Sequence, residues 1–188
     1  MVDGSDLMYA QLLEEIQLEF PDFKIIQKSE SKLMKVLNFL LLIISFGQAR
    51  EFMTHFTTTL GTKVYVTDDW DTDEATSRIS LLRHERIHMR QARKYSQPLF
   101  SFLYLFVLFP IGLAYFRMKF EKEAYAESVK ADIELHGTYR VLSPEYKAWL
   151  AGQFTGAGYL WTWPFKKSID MWVTKTIDDA IDGHVSKK

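Results

Sequence analysis

The chain contains no cysteine, which excludes disulfide scaffolds, thiolate metal sites and cysteine nucleophiles. It also lacks a basic surplus. Its 23 Lys and Arg stand against 24 Asp and Glu, for a formal charge of -1. A generic grip on nucleic-acid phosphates needs net positive charge, so no nucleic-acid partner is expected. Only 5 Pro and 9 Gly occur in 188 residues, and there is no Pro/Gly-rich linker, internal repeat or low-complexity tract. A single domain over 1–188 is the simplest expectation. Asp3 and Asp6 occupy the opening residues where a leader would carry Lys or Arg, and no apolar stretch follows directly. A cytoplasmic or otherwise non-secreted protein is expected. What is present suffices for a packed core: 47% of residues are apolar and 25% charged, which rules out wholesale disorder.

Periodicity outlines the elements. Leu7 to Phe20 reads as a helix, with Leu12, Leu13, Ile16 and Phe20 near one side and Pro21 as its stop. Phe23 to Gln27 reads as a short strand. Ser31 opens a second helix that is apolar nearly all round from Leu33 to Phe46, so it is either deeply buried or in contact with lipid. Phe52–Thr59 and Thr62–Thr67 are two β-prone runs around Leu60-Gly61, the pattern of a hairpin. A polar loop, 68–73, precedes a helix from about Glu74 to Tyr95. A charged helix follows at about Arg117 to Leu135, with Gly137 as its stop. A last helix is expected over Ile169 to Ile181.

The chemistry lies on the Glu74 helix, where His84-Glu85-Arg86-Ile87-His88 has the form H-E-x-x-H. Histidines at i and i+4 share one helical face, so both imidazoles can reach one metal ion. Zinc suits such a pair, because it takes neutral imidazole nitrogen and prefers four ligands. Glu85 projects beside the metal, where it can accept a proton from zinc-bound water and pass it to a leaving amine. With 5 His and 12 Glu in the chain, the chance expectation for the pattern is roughly 0.008, so a random match is a poor explanation.

A third protein ligand is needed, with the fourth position left to water. Glu121, Glu123 and Glu127 on the following helix are the leading candidates. At about 100° per residue, Glu121 falls among Ala124, Tyr125, Ser128 and Leu135. Glu123 and Glu127 lie nearer Lys130 and Glu134, on the side that looks solvated. A ligand must point inward, which favours Glu121.

In these motifs the chain resembles the gluzincin-type zinc metallopeptidases, in particular their minimal single-domain members. There H-E-x-x-H on one helix is completed by a Glu on a following helix, often within E-x-x-A and an acidic residue. Glu121-Lys-Glu-Ala124 fits E-x-x-A with Tyr125 in the acidic position, and Glu123-Ala-Tyr-Ala126 fits it followed by Glu127. The resemblance covers roughly Phe52 to Leu135. It implies an α+β, zincin-like fold with a small, mostly antiparallel sheet, a core at about 23–135 and an aromatic-rich extension over 139–188. It further implies a hydrolase of peptide bonds, with His84, His88 and Glu121 on Zn2+, Glu85 as general base and then acid, and a peptide or protein substrate. Tyr125, His136 and Tyr139 are candidates for an oxyanion stabiliser, and Gln91, one turn beyond His88, for a group that orients a ligand.

Leu99 to Phe116 is 18 residues without a charge, the lower limit for a spanning helix. Such a straight helix would be about 27 Å long. It would leave His88 and Glu121 on opposite bilayer faces, although each must come within about 2 Å of one zinc ion. Pro98, Pro110 and Gly112 favour a broken path inside a soluble core, with peripheral membrane contact through 99–116 as the alternative. The aromatic stretch Tyr159 to Phe165 is expected to pack over the core. A non-catalytic structural or assembly protein that keeps a zinc-stabilised fold is the rival function.

Overall fold

The computed structural model describes residues 4–44, 47, 50–105, 114–156, 163 and 165–186. The chain is α+β, mostly helical with one small three-stranded sheet among the described residues. It divides into two compact units, Met1–Ile79 and Ser80–Lys188.

In the first unit, α1 (Gly4–Glu19) buries Leu12 and Ile16 and stops before Pro21. The Pro ring fixes its own φ and has no N–H to continue the helix ladder. Strands β1 (Lys24–Gln27), β2 (Thr58–Leu60) and β3 (Lys63–Val66) form a sheet in the order β1-β3-β2. The central strand buries Val64, Tyr65 and Val66. Leu60 pairs with Lys63 across a two-residue turn, and Gly61 supplies the positive φ of 65° that this hairpin requires.

Two expectations are corrected here. The sheet is mixed, not mostly antiparallel: β1 runs parallel to β3 over four residue pairs, β2 antiparallel to it over three. Alternation marks a strand but not its direction, which is set by the connection. Here a long return through α2 (Lys32–Ile44) separates β1 from the hairpin. The first hairpin arm is also shorter than Phe52–Thr59. Arg50–Phe52 is a turn of 3₁₀ helix, and the strand begins at Thr58. The Phe52 and Phe56 carbonyls accept hydrogen bonds from the fully buried Lys28 Nζ, each 2.6 Å long. The lysine thus satisfies backbone groups that a strand ladder would otherwise hold.

Helix α2 starts where expected, with the Ser31 hydroxyl accepting the Met34 N–H at 3.3 Å. Residues 45, 46, 48 and 49, which include the expected end of the helix, lie outside the described residues. α2 is not deeply buried. Met34 is its one buried residue among those described, and Leu33, Val36, Phe39, Leu40 and Ile43 are exposed.

Helix α3 (Ala75–Tyr95) matches its expected span within a residue and carries its motif in the second unit. It ends at Ser96, whose φ of 64° is rare for a residue with a Cβ and turns the chain into α4 (Gln97–Leu105). Pro98 sits in the first turn of α4, where a missing N–H costs nothing. The path between His88 and Glu121 is therefore broken, as expected, although Pro110 and Gly112 lie outside the described residues. Among those residues no helix is long and apolar enough to cross a membrane.

Helix α5 (Tyr115–His136) is the centre of the second unit and ends at Gly137, φ 82°. One side of it packs with α4 through Phe100 and Phe120, ring centroids 5.1 Å apart. Another packs Val129 and Ile133 against α6 (Thr138–Leu142), α7 (Pro144–Thr155) and α8 (Lys166–Val185), which contribute Val141, Leu150, Phe154, Ile169, Val173 and Ile177. The buried Tyr146 hydroxyl donates to Asp132 Oδ2 at 2.6 Å, tying α7 to α5. Of the aromatic stretch, Trp163 packs on this core as expected and Phe165 is exposed, whereas residues 159–162 and 164 lie outside the described residues.

Candidate metal centre

One turn of α3 brings the His84 and His88 rings together, with Nε2 atoms 3.1 Å apart. Glu121 enters from α5, its Oε2 at 3.4 Å from His84 Nε2 and its Oε1 at 3.7 Å from His88 Nε2. All three residues are buried, and each offers one ligand atom within 4.8 Å of the others. Ligands about 2.1 Å from a tetrahedral ion stand about 3.4 Å from one another; the two imidazole nitrogens and the two carboxylate oxygens lie near that spacing, and one atom from each residue fits within 4.8 Å of the others. The donor set of two imidazoles and one carboxylate leaves one corner over.

The outer hydrogen bonds orient the rings. Gln91 donates its Nε2 hydrogens to the Phe120 carbonyl at 3.1 Å and to Glu123 Oε2 at 2.9 Å. Its Oε1 must therefore face His88 Nδ1, 2.9 Å away, and accept that nitrogen's hydrogen. In the neutral ring this leaves the Nε2 lone pair free toward the cluster. The His84 ring is held in place by Ser128 Oγ, 3.2 Å from its Nδ1. Its ring packs edge-to-face against Tyr125, with centroids 4.6 Å apart. Tyr104 of α4 donates its hydroxyl to Glu121 Oε1.

Charge is balanced within the cluster. Burial presses the Glu121 carboxyl upward, but the His88 and His84 imidazoles and the Tyr104 hydroxyl outweigh it and hold its pKa down at about 2. Burial likewise presses His84 downward, but the Glu121 carboxylate, reinforced by Glu85, holds it above its ordinary value. Glu85 is itself buried between the two histidines in sequence.

The candidate residues thus separate cleanly. His84, His88 and Glu121 come together. Glu123 is exposed and meets Gln91, not the cluster. Glu127 accepts from Arg83 Nε at 2.9 Å in a half-buried ion pair. Of the oxyanion candidates, Tyr125 lies against His84 but donates its hydroxyl to Gln153 Oε1 at 3.2 Å. His136 and Tyr139 are exposed. Sequence reasoning passed over Tyr104 and Ser128. Ser128 lay on the Glu121 face of the helical wheel, but Tyr104 was hidden in an uncharged run whose folding-back depends on Ser96. Comparison with protein-family models, with curated proteins and with solved structures finds no match.

Proposed function

We propose that the chain is a zinc-dependent metallopeptidase of zincin type, acting on a peptide or protein substrate. The observation that carries this reading is the buried His84, His88 and Glu121 triad, whose donor atoms lie within reach of one ion, with Glu85 of the same H-E-x-x-H motif beside it. The triad would hold the ion. Bound there, zinc would supply Lewis acidity toward a carbonyl and toward water. Glu85 takes a proton from the attacking water and returns it to the leaving amine, the work of a general base and then acid. Gln91 and Ser128 keep both Nε2 atoms aimed inward, and Tyr104 keeps the Glu121 carboxylate in place.

A second reading, a zinc-stabilised fold without catalysis, draws support from the oxyanion candidates. The Tyr125 hydroxyl is committed to Gln153, and His136 and Tyr139 face solvent.

Metal analysis with a peptide-library cleavage screen tests both. About one zinc per chain, lost together with thermal stability in His84→Ala, and chelator-sensitive cleavage are expected. Full zinc occupancy in His84→Ala would overturn the site. Full zinc loading of the parent with no cleavage across the library would favour the second reading.

A further inference from the structure

The charges of this nearly neutral chain are segregated. Residues 31–50 and 86–120 hold nine of its 23 Lys and Arg and none of its 24 Asp and Glu. Both segments also carry exposed apolar side chains on their helices.

The clearer case is α2. At 100° per residue, Val36, Phe39, Leu40 and Ile43 share one arc of the helix, with Leu33 at its edge. These five side chains are between 46% and 63% exposed. A contiguous stripe of that size differs from the scattered apolar exposures of an ordinary soluble surface. The opposite side holds Met34, buried, with Leu37 and Leu41 half-buried, so the helix is fixed to its unit with this stripe outward. Lys32 and Lys35 are exposed at its N-terminal end.

We propose that the outward face of α2 docks on an anionic membrane surface. The apolar stripe enters the boundary between headgroups and acyl chains, and Lys32 and Lys35 meet lipid phosphate and carboxylate groups. The charge pattern favours this occupant over a second copy of the chain. A face-to-face pair of α2 helices could offer the lysines only Glu30 and Glu51, which border the segment, whereas an anionic headgroup layer meets both lysines across its whole surface. The second unit shows the same chemistry independently. Leu99, Phe102 and Tyr115 are exposed within the other acid-free segment, which also holds the exposed Arg93, Lys94 and Lys119. This inference does not rest on the metal site.

Vesicle co-sedimentation of the full chain tests it, with zinc content and circular dichroism recorded for every variant. The parent should pellet with phosphatidylcholine vesicles holding about one-quarter phosphatidylserine, bind phosphatidylcholine alone far less, and be released by salt. Lys32→Gln and Lys35→Gln should each weaken binding about fivefold. Phe39→Asp with Ile43→Asp, both on the solvent side, should weaken it at least tenfold at unchanged helicity. The proposal is overturned if the parent ignores anionic vesicles, if the apolar double variant binds like the parent, or if the parent is a dimer that the double variant dissociates. The last result would assign the face to a second copy.

Discussion

Tyr104 and Glu121, seventeen residues apart and on different helices, are joined by a hydrogen bond from the phenol to Oε1 of the carboxylate. The bond exists because Ser96 turns the chain and α4 packs back on α5 through Phe100 and Phe120. Tyr104 therefore acts on the cluster through Glu121, as a positioning residue. Tyr104→Phe keeps the ring beside His88, at 5.9 Å between centroids, and removes only the donor. Zinc affinity should fall by about 10–100-fold, the usual cost of losing an outer partner of a metal ligand. Competition with a chromophoric chelator would measure it, and an unchanged affinity would show that packing alone holds Glu121.

The three glutamates of α5 should behave in three ways. Glu121→Ala removes one of the three proposed ligands and should abolish tight zinc binding. Glu123→Ala frees one amide hydrogen of Gln91, which keeps its bond to the Phe120 carbonyl, so zinc affinity should fall only severalfold. Glu127→Ala should leave affinity intact and lower stability through the half-buried Arg83, which keeps Glu134 as a partner. Zinc lost in the Glu127 variant alone would contradict the assignment.

The metal-free protein should show a pH signature that zinc reverses. Glu121, with its pKa lowered from 4.5 to about 2, contributes stability that is present above pH 4.5 and lost as pH falls toward 2. His84, raised above 6.5, contributes stability that is present below pH 6.5 and lost as pH rises through its folded value. Their pair therefore favours the metal-free fold most between those limits. Zinc needs neutral imidazole, so the rise in melting temperature on adding zinc should grow as pH climbs past 6.5. Thermal unfolding with and without chelator, from about pH 4 to about pH 9, measures both. The stability difference between parent and Glu121→Gln, both metal-free, should shrink at each end of that window. A constant difference would contradict the pairing.

What the sequence made legible follows from periodicity. The i, i+4 spacing put His84 and His88 on one face, and the wheel of α5 placed Glu121 inward with Ser128 and turned Glu123 outward, whereas Glu127 is half-buried against Arg83 of α3. Both are local properties of a helix. Less could be read where tertiary contacts decide. Lys28 draws the Phe52 and Phe56 carbonyls away from a strand, and the path through α2 sets β1 parallel to β3. The apolar pattern of α2 stated that something apolar should cover it, not what. Helices α6 and α7 went unread because Gly137, Ser143 and Pro144 divide the region into short pieces. Ser143 caps α7 by accepting the Tyr146 N–H at 3.2 Å, with Pro144 in the first turn.

Catalysis is tested most directly by the cleavage rate of zinc-loaded Glu85→Gln. Glutamine keeps the size and shape of glutamate but cannot take a proton from water. Glu85 is outside the triad of ligands, so zinc content and melting temperature should stay at parental levels. Peptide cleavage should fall by ~10²–10⁴, the usual contribution of general acid–base catalysis. A fully zinc-loaded Glu85→Gln protein that cleaves as fast as the parent would contradict the proposed mechanism.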